Sequence, residues 1–577
     1  MKKQTKYVAV LSAAALLAMG ASMTSFAAGW EKDEAGAWHY YDKDDDMVTN
    51  EWKKDGGKWF YLDDDGNMAT NRWVDDESYV GEDGAMITNG WIKTLADDEE
   101  LDDPSEDGEH WYYFNAKGKK VTGKKTIAGK TYYFDPEGKM RSGWYQDSNG
   151  NVYYLGDEDD GAMAKNRWLW LEKAGNAYDE DDPDSVRNSQ VTFTNGGVKT
   201  TCEEDDNCDD EGWYWFDASG KMCHQEGVKT INGRKFIFGE HGQMLYEWIN
   251  NTKVTGSSNS QLDSNLDDAS TGEVSIANML WFQENGDGAT NGARVDGWQY
   301  ISGSKGTDTE GDTNWYFIKK GKAKYATEGT VEDADTYETI AADKKKDWNG
   351  LRDGGDPVYR MKEKLSWSGK TGTFCFDQKG KMKTGLQLIG GKTYYFDGDG
   401  YMKTGKISGV EEEGGDTYTY YFTTKNANKG QGLTGVKDGY LYFMGKRLEA
   451  DDDFRLYRVN NRTYLVNKNG KLQKSCNNKN IELPEGGVEE KVDLDFADSK
   501  NYVIKDSSVV YTDDNDKEVT AKDIAVLPHI QLEDTDNYII GTEAGELKIC
   551  SKAETDLLED LNNLITVKTA EGNVDLK

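Results

Sequence analysis

Histidine, cysteine and long apolar runs are all scarce in this chain of 577 residues, and each scarcity removes a class of function. The five histidines are His39, His110, His224, His241 and His529. The first two interrupt aromatic runs, the next two sit in turns, and only His529 falls in the last hundred or so residues. A zinc amidase needs several His or carboxylate ligands around an open position, and one histidine cannot supply them. A Cys–His hydrolase would have to pair Cys476 or Cys550 with His529. The flanking SCNN and KICSK resemble no nucleophile signature of wall-hydrolase cysteine peptidases. Carboxylate pairs of the glycosidase kind carry no information among 106 acidic residues.

The six cysteines are scattered: Cys202, Cys208, Cys223, Cys375, Cys476 and Cys550. Cys202 and Cys208 share an acidic insertion with Cys223-His224 close by, which leaves a local disulfide or a zinc site open; the first spacing is wide for zinc. Residues 1–28 read as a secretory signal, with Lys2, Lys3 and Lys6, the apolar run Val8–Met19 and the small-residue stretch Ser25-Phe26-Ala27-Ala28. That run is too short to span a bilayer, no other segment comes close, and no membrane span is expected after signal cleavage. Without an LPxTG ending and apolar tail, attachment to an envelope is expected to be non-covalent. Basic charge is also short: 69 Lys and Arg against 106 Asp and Glu give −37. Nucleic acid is excluded as a natural partner, whereas a cationic ligand would be drawn in. The oxygen-rich Asp63-Asp64-Asp65-Gly66 and Asp157–Gly161 miss the calcium-loop spacing and read as solvated turns, so no metal or cofactor is expected.

Aromatic residues are what the chain has in quantity, 12% of it, and they are periodic. WKKDGGKWFYLDDDGNMATNRW, residues 52–73, turns at Asp55-Gly56-Gly57, returns through Trp59-Phe60-Tyr61, and turns again at Asp65-Gly66 before Met68. Aromatic runs either side of a Gly-rich turn form a β-hairpin. Opening tryptophans recur at 30, 52, 73 and 91, with methionines at 47, 68 and 86. A period near twenty residues means stacked repeats, because one hairpin cannot bury a core alone. The expected fold is mainly β: a solenoid of stacked hairpin repeats with a small C-terminal α+β or β module.

The repeats are cleanest over residues 29–170, where the acidic insertion Asp97–Glu109 interrupts the fourth, and loosen over 171–475, where acidic insertions and polar spacers such as Thr255–Gly272 intervene. Residues 476–577 hold no tryptophan and the hairpin signature stops; short strands are expected there around Val492, Leu494 and Phe496. A helix is expected at Leu557, Leu558, Leu561 and Leu564 behind a Ser551 cap.

Alternate residues of a strand share a face, so Trp59 and Tyr61 point one way and Phe60 the other. Rings from neighbouring hairpins facing one gap would make a cage for a quaternary ammonium, with a methionine thioether nearby. The same rings could equally fill the core. The pattern GW…G.WYY…G.M.TG resembles the choline-binding, or cell-wall-binding, repeat of Gram-positive surface proteins. The resemblance implies a non-catalytic, secreted, cell-wall-associated protein that binds choline-bearing teichoic acid or another cell-wall polysaccharide. It implies cage residues Trp30, Trp38 and Tyr40; Trp52, Trp59 and Tyr61; Trp73, Tyr79, Trp91, Trp111 and Tyr113; and Trp144, Tyr153 and Trp168. The units TIAGKTYYF, TINGRKFIF and LIGGKTYYF lack the opening Trp and are similar to glucan-binding and clostridial-toxin repeats. They imply the alternative of a glucan or host-glycan adhesin. A wall hydrolase with an unrecognised catalytic module is a further alternative.

Overall fold

In a computed structural model, residues 29–551 are described except for 97–107, 178–188, 196–197, 203–207, 225–226, 251–275, 284–290, 304–311, 328–351, 354–355, 413–414, 485–487, 496–500, 533–536 and 542–546. The expected leader and the leucine helix of 557–564 lie outside the described residues. The chain divides into two compact units after Cys223.

The first unit is a stack of antiparallel hairpins. β1 (Gly29–Lys32) pairs with β2 (Trp38–Tyr41), β3 (Glu51–Asp55) with β4 (Lys58–Leu62), and β5 (Arg72–Val74) with β6 (Ser78–Val80). β7 (Gly90–Thr94) then pairs with β8 (His110–Phe114), β9 (Gly123–Ile127) with β10 (Lys130–Phe134), and β11 (Trp144–Gln146) with β12 (Val152–Tyr154). β13 (Arg167–Glu172) finds its partner only at Glu211–Phe216. The acidic stretch between them is an insertion inside one hairpin, with Val191 and Phe193 packed into the core that holds Trp144 and Tyr214. Cys202 and Cys208 are joined by a disulfide.

The acidic residues earn their positions in the turns. The Asp63 carboxylate accepts the N–H groups of Asp65 and Asn67, and Gly66 takes φ +75° to close the turn. Asp42, Asn115, Asp147 and Asp217 repeat this arrangement. Donation from the N–H groups of Asp44 and Asp46 holds the Asp42 carboxyl below its usual range. Asp63 and its neighbours are therefore turn formers, and their abundance follows from the number of turns.

One backbone bond per rung sets the stack. The residue at the methionine position donates its N–H to the return strand of the preceding hairpin: Met68 to Trp38 O at 2.7 Å, Met86 to Trp59 O at 2.8 Å, Lys120 to Glu77 O at 2.7 Å, and Met140 to Trp111 O at 2.8 Å. The methionine side chain then lies beneath the turn glycine of the next rung. A Cβ on Gly118 would fall 2.3 Å from Met86 Sδ, and one on Gly161 would fall 2.2 Å from Met140 Sδ. The expected solenoid of hairpins is what forms.

The second unit continues with hairpins such as Gly227–Ile231 with Arg234–Phe238 and Gly385–Ile389 with Lys392–Phe396. It then builds two five-stranded sheets. Ser475–Glu482 pairs in parallel with Phe454–Val459 and antiparallel with Val488–Asp495. Ile530 and Ile539 share a core with Leu386, Tyr420 and Phe443. The described C-terminal segment is thus all β and is built into the last hairpins' core. Its lock is a buried carboxylate: Glu412 accepts from Tyr420 Oη at 2.5 Å, Lys446 Nζ at 3.0 Å and the Gln531 N–H at 3.1 Å. Such a charge is tolerable only while those partners remain.

Candidate functional site: aromatic slots between rungs

Cross-strand register places three rings on one face of a rung. Trp30 lies opposite Tyr40 and Lys32 opposite Trp38; Trp52 lies opposite Tyr61 and Lys54 opposite Trp59; Trp91 lies opposite Tyr113 and Lys93 opposite Trp111. The centroids of Trp30 and Tyr40 are 5.3 Å apart, those of Trp52 and Tyr61 5.3 Å, and those of Trp91 and Tyr113 5.1 Å. Trp111 stands 6.4 Å from Trp91 at 83°, two walls of a corner. Trp73 and Tyr79 pair at 5.6 Å.

The next rung closes the back of each slot with a ring from its opposite face. Phe60 lies 5.2 Å from Trp30, Tyr112 4.8 Å from Trp73, and Tyr132 4.9 Å from Trp91. Phe60, Tyr112 and Tyr132 are buried, whereas Trp30, Trp73 and Trp91 keep part of their surface in solvent. One side of each indole is therefore core and the other is open. Behind Trp52 stands Val80, so that slot has an aliphatic back wall. The outer ring Trp59 is 40% exposed. Met140 and Trp91 pack against the same core cluster of Val121, Tyr132, Phe134 and Ala162.

Carboxylates sit at the indole N–H groups. Trp52 Nε1 donates to Asp75 at 3.2 Å, and Trp111 Nε1 to Asp159 at 3.0 Å. Asp159 also pairs with Lys93 at 2.9 Å, and these donors hold its carboxyl below the usual range.

The remaining sequence candidates are arranged differently. Trp144 pairs with Tyr154 at 5.4 Å rather than with Tyr153, because Tyr153 is on the opposite strand face, beside Tyr133 and Tyr145. Tyr153 Oη donates to Asp147 at 3.1 Å, and burial with that neighbouring charge pushes its hydroxyl far above the ordinary tyrosine range. Trp144 is 8% exposed against Tyr214, so its slot is shut. Trp168 packs against Trp215 at 5.3 Å and a 55° tilt, a partner delivered from across the insertion. Sequence reasoning passed over Phe60, Tyr112 and Tyr132. The signal for them is the strand alternation itself, since the ring between two outward-facing aromatics must reach the preceding rung.

The Cys–His alternative meets adverse electrostatics. Burial pushes the Cys476 thiol up to about 11, away from a thiolate. Burial, with Lys446 and Arg455 nearby, pushes His529 down to about 3. Unfolded, an imidazole titrates near 6.5, so below that pH the unfolded chain takes up a proton that the fold refuses. The neutral His529 contribution is complete above pH 6.5 and is lost as the pH falls towards 3. Between pH 7 and pH 4.5 the wild type should lose about 2 kcal/mol more than His529→Gln in urea unfolding of the second unit. Equal losses would contradict the assignment.

Sequence profiles of known families match in this region. Two choline-binding repeat profiles match residues 121–168 and 46–85, and a cell wall binding repeat profile matches 106–120, 207–222 and 384–402. These segments of the chain are similar to choline-binding repeats. Among sequence relatives, Glucosyltransferase-S of Streptococcus mutans is 32% identical over 24% of this chain and 10% of its own. Glucosyltransferase-I of Streptococcus downei is 23% identical over 52% of this chain and 20% of its own. The chain therefore spans a fifth or less of either relative. Among solved structures, choline binding protein F of Streptococcus pneumoniae aligns with 19% identity and a TM-score of 0.23, covering 74% of this chain and all of that one. Choline-binding repeats are non-catalytic in themselves, and among the described residues no helix is long and apolar enough to cross a membrane.

Proposed function

We propose that the rungs of the first unit hold the protein non-covalently on a cell-wall polymer by gripping choline-type headgroups, such as those on teichoic acids, and that the chain itself catalyses no reaction. The observation that carries this reading is the Trp91 slot, where Trp91, Trp111 and Tyr113 share one strand face, Tyr132 backs the indole, and Lys93 and Asp159 stand at the Trp111 edge. Each ring–cation contact contributes roughly 0.5–2 kcal/mol, so one slot binds a free headgroup in the millimolar range. Repetition along the stack turns weak sites into firm attachment on a polymer that displays many headgroups. Secretion to the cell surface follows from this reading. The test is retention on a quaternary-amine matrix with release by free choline, together with a choline titration of tryptophan fluorescence. Passage through the matrix without retention would end the proposal.

A second reading rests on a different observation. Tyr300 and Trp315 in the second unit are 58% and 44% exposed, with centroids 5.1 Å apart. Exposed rings side by side suit the apolar face of a sugar, and the glucosyltransferase relatives favour a glucan. Binding of soluble dextran that Trp315→Ala abolishes, with no response to choline, would establish this reading over the first.

A further inference from the structure

One rung departs from the pattern in a way that changes what the slot of the preceding rung can hold. At the position occupied by Met47, Met68, Met86 and Met140 in other rungs, the fourth hairpin carries Lys120. Its backbone is in the methionine register, bridging Phe114 and donating to Glu77 O at 2.7 Å. Its stem also takes the methionine's place under the next turn glycine, since a Cβ on Gly138 would meet Lys120 Cδ at 3.2 Å. A lysine stem is longer than a methionine side chain and ends in a cation. That ammonium lies 5.3 Å from the ring centroid of Trp73, the indole backed by Tyr79 and Tyr112. The preceding Lys119 points the other way and pairs with Glu77 at 2.8 Å, as strand alternation requires.

We propose that Lys120 is a built-in ligand: its ammonium fills the aromatic slot at Trp73, so the slot of the third rung takes no external quaternary ammonium. The inference rests on the choline-type reading and deepens it by setting which rungs are live. A tethered cation competes at an effective concentration of about millimolar or more, which matches the affinity of one slot for a free headgroup. Its primary ammonium needs no further ordering of the chain once the Lys120 stem is packed under Gly138. The device fixes the spacing between open positions along the stack, and hence the headgroup spacing that the array matches.

The test uses the full chain, with choline chloride as the probe and two readouts. In NMR of protein labelled at lysine Cε, the signal absent from Lys120→Gln identifies Lys120. Its ε-protons should lie upfield of exposed lysines, return to the ordinary position in Trp73→Leu, and stay put at saturating choline. In calorimetric titration, Lys120→Met, which restores the repeat pattern, should bind one more equivalent of choline than the wild type. An unshifted Lys120 signal, its displacement by choline, or an unchanged stoichiometry in Lys120→Met each overturns the inference. If neither protein binds choline, the functional reading falls, and the Lys120 shift and its loss in Trp73→Leu then decide the occupancy of the slot.

Discussion

Replacing Trp91 with alanine is expected to weaken retention on a choline-displaying polymer by one to two orders of magnitude, while removing a single equivalent of free-choline binding. The asymmetry comes from the repeat. A free headgroup samples each slot alone, and losing the Trp91 face costs that slot about 1–2 kcal/mol and empties it at millimolar choline. On a polymer, every engaged slot multiplies the avidity by the ratio of effective concentration to intrinsic affinity, so deleting one removes a whole factor. Trp144→Phe is the control, because that indole is buried against Tyr214 and its slot is closed. Its retention should be unchanged. The measurement is choline needed for elution, read beside calorimetric stoichiometry. A Trp91→Ala protein that elutes like the wild type would remove the slot from the binding surface.

The second large effect concerns stability. Gly432→Ala should cost the second unit about 3 kcal/mol in urea unfolding, against about 1–2 kcal/mol for Gly118→Ala in the first unit. A Cβ at Gly432 would lie 2.1 Å from Thr393 Oγ1 and 2.3 Å from the carbonyl oxygen of Met444. The Thr393 hydroxyl donates to that same carbonyl, and the tight turn at Met444 between two paired strands leaves its backbone little room to move. At Gly118 the obstacle is the end of the Met86 side chain, which can swing aside, and the remaining cost is the φ of +73°. Equal penalties at the two glycines would show that the stack is more plastic than its ladder bonds imply.

The hairpin stack and its period were legible because they depend on short-range signals: an aromatic run, a Gly turn, a methionine, repeated. The three-ring faces at Trp30, Trp52 and Trp91 were legible for the same reason, since strand alternation fixes which residues share a face. What escaped was everything that needs the rise between rungs. Tyr132 comes from a unit without an opening Trp, yet it supplies the back wall for Trp91. Tyr153 and Tyr154 differ by one position, and register alone decides which of them meets Trp144. The partner of Trp168 lies beyond an insertion that no local pattern spans. Likewise, residues beyond 476 look separate because the hairpin signature stops there, while their isoleucines complete a core begun before residue 400.

The Glu412 lock has a practical corollary for anyone cutting the gene. A fragment stopped at residue 475, where the aromatic signature ends, would delete the Gln531 amide that Glu412 depends on and would bare Leu386, Tyr420 and Phe443 to water. The final strands act as the bookend of the array, and soluble pieces of the second unit have to retain them.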